Sequence, residues 1–172
     1  YFNKVTAYKN AKKIIKMTKC DAVKLEGGEK IANIIKYLTS KKIPVMGHVG
    51  LLPQTSSNFK LKGKKKLERK KIIKDALAVS NAGAFAIVIE CVVESLAKEI
   101  TNKISIPTIG IGASQHCDGQ VLVLDDMIGL SNFRPRFVKK YSNIRTIIEK
   151  SVKNYCEDVK QKKFPSSQHV YK

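Results

Sequence analysis

A lysine and a glutamate two residues apart, Lys24 and Glu26, close the short run Ala22-Val23-Lys24-Leu25-Glu26 and stand directly before Gly27-Gly28. In a strand, the period of two sends Lys24 and Glu26 to one face and Val23 and Leu25 to the other. Opposite charges at the carboxyl end of a parallel strand suit a ligand site, because the next loop opens there while the strand holds the side chains. The competing reading is an exposed ion pair on an edge strand, which adds little stability. Glu90 is the sharper signal. It ends the apolar run Ala84-Phe85-Ala86-Ile87-Val88-Ile89, and a partly desolvated carboxylate suits a general base. A carboxylate paired with a loop donor is the alternative. His48 follows another short apolar run and is as often structural as catalytic. Cys91, beside Glu90, lacks a nearby His to activate it as a nucleophile. Asp125-Asp126 could hold a cation but read better as structural residues ending the last strand. Gly110-Ile111-Gly112 fails the dinucleotide fingerprint, since position 115 is Gln.

These residues need elements to hold them. Apolar spacing predicts helices over residues 7 to about 19, from Gly27-Gly28 to Lys42, from Leu67 to Ala82, and from Val92 to Lys103, with a last helix after Pro135 carrying Ile144, Ile147, Ile148, Val152, Tyr155 and Val159. Gly83 stands where a left-handed helix C-cap belongs. Strands are expected at 22–26, 84–90, 104–111 and 120–125, with a short strand running into a loop over 43–51, a long loop over 52–66 and a turn over 112–119. The loop has the length of functional or mobile segments. A weak echo of Thr39-Ser40-Lys41-Lys42-Ile43-Pro44-Val45-Met46-Gly47 in Thr101-Asn102-Lys103-Ile104-Ser105-Ile106-Pro107-Thr108-Ile109-Gly110 marks two passages from helix into buried strand. Such alternation predicts right-handed βαβ units and a parallel sheet in an α/β fold. In a barrel, Lys24, Glu26, His48, Glu90, the Gly110-Ile111-Gly112 turn and Asp118 would crowd round one mouth. Five strands fall short of the eight in a closed barrel, so the sheet is either open or a barrel lacking its first third.

At 172 residues with 43% hydrophobic content, the chain has a one-domain length and material for a core. No apolar run approaches a membrane span, and the first residues do not lead into a signal-peptide core; a soluble, cytoplasmic protein is expected. Cys20, Cys91, Cys117 and Cys156 are scattered, which disfavours zinc and disulfides. The formal charge of +19 invites a nucleic-acid reading. Against it, the arginines are only Arg69, Arg134, Arg136 and Arg145, and base readout favours Arg. The lysines are spread along the chain and densest from Lys60 to Lys71, which reads as solvated surface or as a field attracting an anionic substrate.

Several blocks together resemble one family. Val23-Lys24-Leu25-Glu26-Gly27-Gly28, Gly47-His48-Val49-Gly50-Leu51 with Pro53-Gln54, Ile89-Glu90-Cys91-Val92, and Ile106-Pro107-Thr108-Ile109-Gly110-Ile111-Gly112-Ala113 with Cys117-Asp118-Gly119-Gln120 are similar, in order and spacing, to the ketopantoate hydroxymethyltransferases. Leu52 and Ser114 depart from the usual Thr and Gly. The resemblance implies a (β/α)₈ TIM barrel, of which about the last five β/α units and a C-terminal helix are present in residues 1–172, an N-terminally truncated chain lacking two metal-ligating aspartates. It further implies a cytoplasmic homodecamer that uses Mg²⁺. Its reaction moves a hydroxymethyl group from 5,10-methylenetetrahydrofolate to 3-methyl-2-oxobutanoate, giving 2-dehydropantoate for pantothenate and coenzyme A synthesis. By position, Glu90 matches the proton acceptor, Lys24 a substrate-binding lysine and Glu26 a Mg²⁺-site glutamate. His48 is placed in the same pocket as a substrate-binding candidate. A basic nucleic-acid-binding domain and an inactive remnant of the transferase are the competing readings.

Overall fold

The continuous apolar run before Glu90 forms a strand buried on both faces: Ala86, Ile87, Val88 and Ile89 are each at most 6% exposed, the pattern of an interior parallel strand. Around it, the computed structural model describes residues 3–56, 59–132 and 135–171. Ser57 and Asn58 of the expected long loop, Arg134 and the terminal residues lie outside the described residues. The chain packs as two units, residues 1–121 and residues 122–172.

The first unit runs α1 (Lys4–Thr18), β1 (Val23–Glu26), α2 (Glu29–Ser40), β2 (Val45–Gly50), α3 (Lys66–Asn81), β3 (Ala86–Glu90), α4 (Glu94–Lys103), β4 (Thr108–Ile111) and β5 (Gly119–Gln120). Asn3 caps α1 by accepting from the Thr6 amide at 2.9 Å, so the helix starts earlier than its apolar spacing implied. Gly83, at φ +89, follows α3 in the expected left-handed conformation.

All strands are parallel and pair in the order β1-β2-β3-β4-β5. A doubly wound sheet reverses its strand order at a switch point. This sheet never reverses, and right-handed crossovers in one direction put the crossover helices α2, α3 and α4 on one face, as in a β/α barrel. Leu25, Val45, Val49, Ile87 and Ile89 face that layer and share one core with Ala11, Ile35, Leu38, Ala76, Val79, Leu96 and Ile100. The opposite face, by alternation, carries Lys24, Glu26, Met46, His48, Val88 and Glu90.

Two strand expectations are corrected. The strand expected over 104–111 begins only at Thr108, because Pro107 has no N–H and contributes only its carbonyl, which accepts from Ile87 at 2.9 Å. The strand expected over 120–125 stops at Gln120. Val121 donates the last ladder bond, to the Gly110 carbonyl at 3.0 Å, and Leu124–Met127 is helical instead, with Asp125 and Asp126 in its first turn, where carboxylates favour the helix dipole. Those aspartates therefore start a helix and do not end a strand.

Asp118 is also corrected. Its carboxylate accepts from the Thr108 amide at 2.8 Å and the Thr108 hydroxyl at 2.9 Å. It therefore ties down the amino end of β4, away from the mouth. The Thr108 hydrogen bonds, backbone first, hold the Asp118 carboxyl below its usual range. A lowered folded value means the contribution is full above the ordinary carboxylate range and is lost as pH falls through the folded value. Asp118→Ala should cost about 1 kcal/mol or more at neutral pH, because the buried Thr108 amide loses its acceptor. Urea melts of the two proteins should begin to converge only as pH falls below about 4, the ordinary aspartate value, and should meet below the lowered folded value.

In the second unit, the four-residue helix α5 (Leu124–Met127) is followed by α6 (Ile144–Lys160) and a 3₁₀ turn at Ser167–His169. The tail folds back on α6: the Phe164 ring meets Tyr155 at 5.5 Å and His169 at 5.1 Å between centroids. Ile147, Val152 and Tyr155 of α6 remain more than half exposed. Among the described residues no helix is long and apolar enough to cross a membrane.

Candidate active site

Register alone aligns three of the four predicted site residues. Glu26 pairs with His48 across β1 and β2, and Gly50, two residues after His48, pairs with Glu90 across β2 and β3. The imidazole thus lies between two carboxylates, its Nδ1 3.7 Å from Glu26 Oε1 and its Nε2 3.3 Å from Glu90 Oε2. His48 is 1% exposed and Glu26 7%, while Glu90 is half-buried and opens towards solvent. Both contacts are within ion-pair reach, yet neither ring nitrogen makes an aligned hydrogen bond. Catalytic hydrogen bonds are often loose before substrate arrives. Lys24 is the residue left apart: it pairs with Met46, one layer nearer the strands' amino ends, and is exposed.

Backbone geometry that the sequence did not announce holds this trio. Gly50 has φ +93, and the next amide, Leu51 N–H, donates to the Glu90 carbonyl at 2.8 Å. Cys91 also lies in the left-handed region, at φ +49, with its amide donating to Ile111 and its carbonyl accepting from Lys62. Strain of this kind collects where surroundings over-determine the backbone. Gln54 reaches in from the loop after β2, its amide donating to Glu26 Oε2 at 3.0 Å. The Gly-x-x-Gly spacing around His48 was the one available signal. The Gln54 contact had none, being a backbone bond over a distance of 28 residues.

A side chain at position 50 would run into the Glu90 carbonyl and lie 2.6 Å from Val92 Cγ2. Gly50→Ala should therefore cost roughly 1–3 kcal/mol and move Glu90, while Cys91→Gly, which relieves its φ, should be tolerated. Thermal melts of the two variants check the contrast.

Other groups near the mouth have structural roles. Burial, and then the neighbouring Glu90 charge, push the Cys91 thiol up, so it stays protonated and is a poor nucleophile. Ser114 is buried and donates to Glu94 at 3.2 Å while accepting from the His116 amide at 3.1 Å. His116 Nε2 faces the same Glu94 oxygen at 3.6 Å. The serine's partner is thus a carboxylate and not an imidazole, which ties the loop to α4 without activating the hydroxyl. Among the described residues no three His, Cys, Asp or Glu side chains form a metal cluster. The Glu26 carboxylate is a hard oxygen donor of the kind Mg²⁺ takes, one or two at a time, together with water and substrate oxygens.

A singly wound parallel β/α sheet, with two carboxylates and an imidazole at the carboxyl ends of its strands, is the architecture of part of a β/α barrel. The particular family follows from comparison: residues 1–167 match the ketopantoate hydroxymethyltransferase family, and the chain belongs to it. It is 57% identical over 171 residues to the 3-methyl-2-oxobutanoate hydroxymethyltransferase of Pelagibacter ubique, covering 99% of this chain and 66% of that protein. The enzyme of the same name from Rhizobium etli is 51% identical over 174 residues, covering 99% and 64%. The chain thus spans about two thirds of the length of the curated relatives it matches.

Proposed function

We propose that this protein transfers a hydroxymethyl group from 5,10-methylenetetrahydrofolate to 3-methyl-2-oxobutanoate, giving 2-dehydropantoate for pantothenate synthesis. The observation that carries the reading is the half-buried Glu90 carboxylate, held at a strand end against His48. Glu90 takes the proton from C3 of the keto acid, and the electron pair moves onto the C2 carbonyl oxygen as an enolate. Lys24, on the same face, meets the anionic oxygens of the substrate, and a cation placed there stabilises the charge as it develops. Water gives its oxygen to the donor's methylene carbon and its two hydrogens to the donor nitrogens as both C–N bonds break. C3 of the enolate bonds to that carbon, now at the oxidation level of formaldehyde, and the new alkoxide takes the proton held by Glu90. Glu26 would hold Mg²⁺, which when bound supplies Lewis-acid polarisation of the keto acid. His48 is buried too deeply for the part of a substrate ligand and acts instead as a positioning residue, keeping the two carboxylates apart and aimed. A cytoplasmic homodecamer belongs to the same proposal, and the mass of the purified assembly tests the oligomeric part.

The chemical test needs no donor. In deuterium oxide, the complete protein with Mg²⁺ should exchange the C3 proton of 3-methyl-2-oxobutanoate, followed by NMR. Turnover without any such exchange would remove Glu90 from its role and the enolate from the pathway.

A further inference from the structure

The lysine charge concentrates beside this site. Between Lys60 and Lys71 the chain carries seven lysines, and among the described residues none of them pairs with a carboxylate. The other charged groups in the segment are already engaged. Glu68 accepts from the Gly63 amide at 2.7 Å, and Arg69 binds Ser95 at 3.1 Å and Glu99 at 3.2 Å. What remains for a ligand is a row of ammonium groups.

That row is fixed at the mouth. The Lys62 amide donates to the Cys91 carbonyl at 2.8 Å and the Val93 amide donates to the Lys62 carbonyl at 3.0 Å, a parallel bridge pairing Lys62 with Val92. Residue 62 therefore lies about one strand spacing, roughly 4.8 Å, from a residue two places past Glu90. Helix α3 starts at Lys66, so Lys64, Lys65 and Lys66 stay at the carboxyl end of the sheet, as helix starts do in β/α units. Just before them Phe59 and Leu61 are 60% and 45% exposed. Apolar and cationic side chains thus alternate from Phe59 to Lys62.

A ligand matching this surface has an aromatic ring continued by a flexible string of carboxylates. We infer that the segment Phe59 to Lys71 is the docking surface for the oligo-γ-glutamyl tail of the folate donor, with the p-aminobenzoyl ring against Phe59 and Leu61. The inference rests on the transferase reading and extends it to the form of the donor that is used. Lysine suits the task, since a mobile tail of single carboxylates needs point charges on flexible stems and not the bidentate fork of arginine. Nucleic acid fits less well. Sequence-tolerant strand binding uses successive aromatic platforms and free arginine, and here one aromatic is exposed and the arginine is tied.

The test compares the monoglutamyl and pentaglutamyl forms of 5,10-methylenetetrahydrofolate on the complete protein. Exposed charge pairs each add somewhat less than a factor of two, so KM for the pentaglutamyl donor should be lower by about tenfold at low ionic strength. The advantage should shrink as salt screens it. In the variant K64E/K65E/K66E the ratio of the two KM values should fall to about one, and the milder K64Q/K65Q/K66Q should lie between. A ratio taken within each protein is insensitive to how much of it is active. Equal KM values for the two donors in the unmutated protein would overturn the inference and leave the transferase reading intact. No turnover with either donor would overturn both. Lysine-dependent binding of a mixed-sequence single-stranded RNA, tighter than that of labelled penta-γ-glutamate, would overturn the inference in favour of a nucleic-acid surface.

Discussion

Glu90→Gln is expected to lower C3 proton exchange of the keto acid by about 10²–10⁴-fold, the usual worth of a positioned general base, while leaving the fold and keto-acid binding intact. The side chain is half-buried and its amide counterpart has nearly the same shape, so packing should not change. The backbone bond from Leu51 to the Glu90 carbonyl does not depend on the side chain. Glu90→Asp sharpens the prediction. It keeps the carboxylate but withdraws it by one methylene from both substrate and His48 Nε2, now 3.3 Å away, and a misplacement of about 1 Å can cost 10²-fold. The aspartate variant should therefore recover only part of the exchange that glutamine loses. Exchange at the unmutated rate in Glu90→Gln, with equal keto-acid binding by calorimetry, would assign the base elsewhere.

Much of this arrangement was legible because strands and helices leave periodic marks. From Ala86 to Ile89 the run before Glu90 is apolar at every position because both faces of β3 are buried there, and the alternation Val23, Leu25 against Lys24, Glu26 follows from a strand with helices on one side only. The placement of Asp118 was misread for an equally physical reason. Its position in the turn after β4 suggests the mouth, but a short aspartate immediately before β5 can reach the start of β4, where the Thr108 amide waits. Val121-Leu122-Val123 has strand propensity, yet its ladder ends with the bond from Val121 to Gly110; local preference lost to the lack of further pairing there. Least legible was the loop after β2. Its contacts at Leu51, Gln54 and Lys62 are all backbone amides reaching Glu26, Glu90 or Cys91, and an amide is the same in every residue. Only the fold decides which one is close.

Lys24 and Glu26 share a face, but the site asks different things of them, and their variants should separate. Glu26→Gln keeps the volume and an acceptor for the Gln54 amide, so the loop should stay in place. It removes the only negative charge of β1 from beside His48. If that carboxylate serves Mg²⁺ directly or through water, its loss should raise the Mg²⁺ needed for half-maximal exchange by about 10- to 100-fold, with much of the rate returning at high metal. Lys24→Ala should behave otherwise. An exposed ammonium that meets the substrate's oxygens cannot be replaced by more metal, so KM for the keto acid should rise at every Mg²⁺ concentration while the metal requirement stays put. An ordinary ion pair between the two would give neither pattern, since breaking it from either side costs the same small amount of stability. Crossed titrations of Mg²⁺ and keto acid on the two variants decide it, and identical metal dependence in both would sink the division of roles.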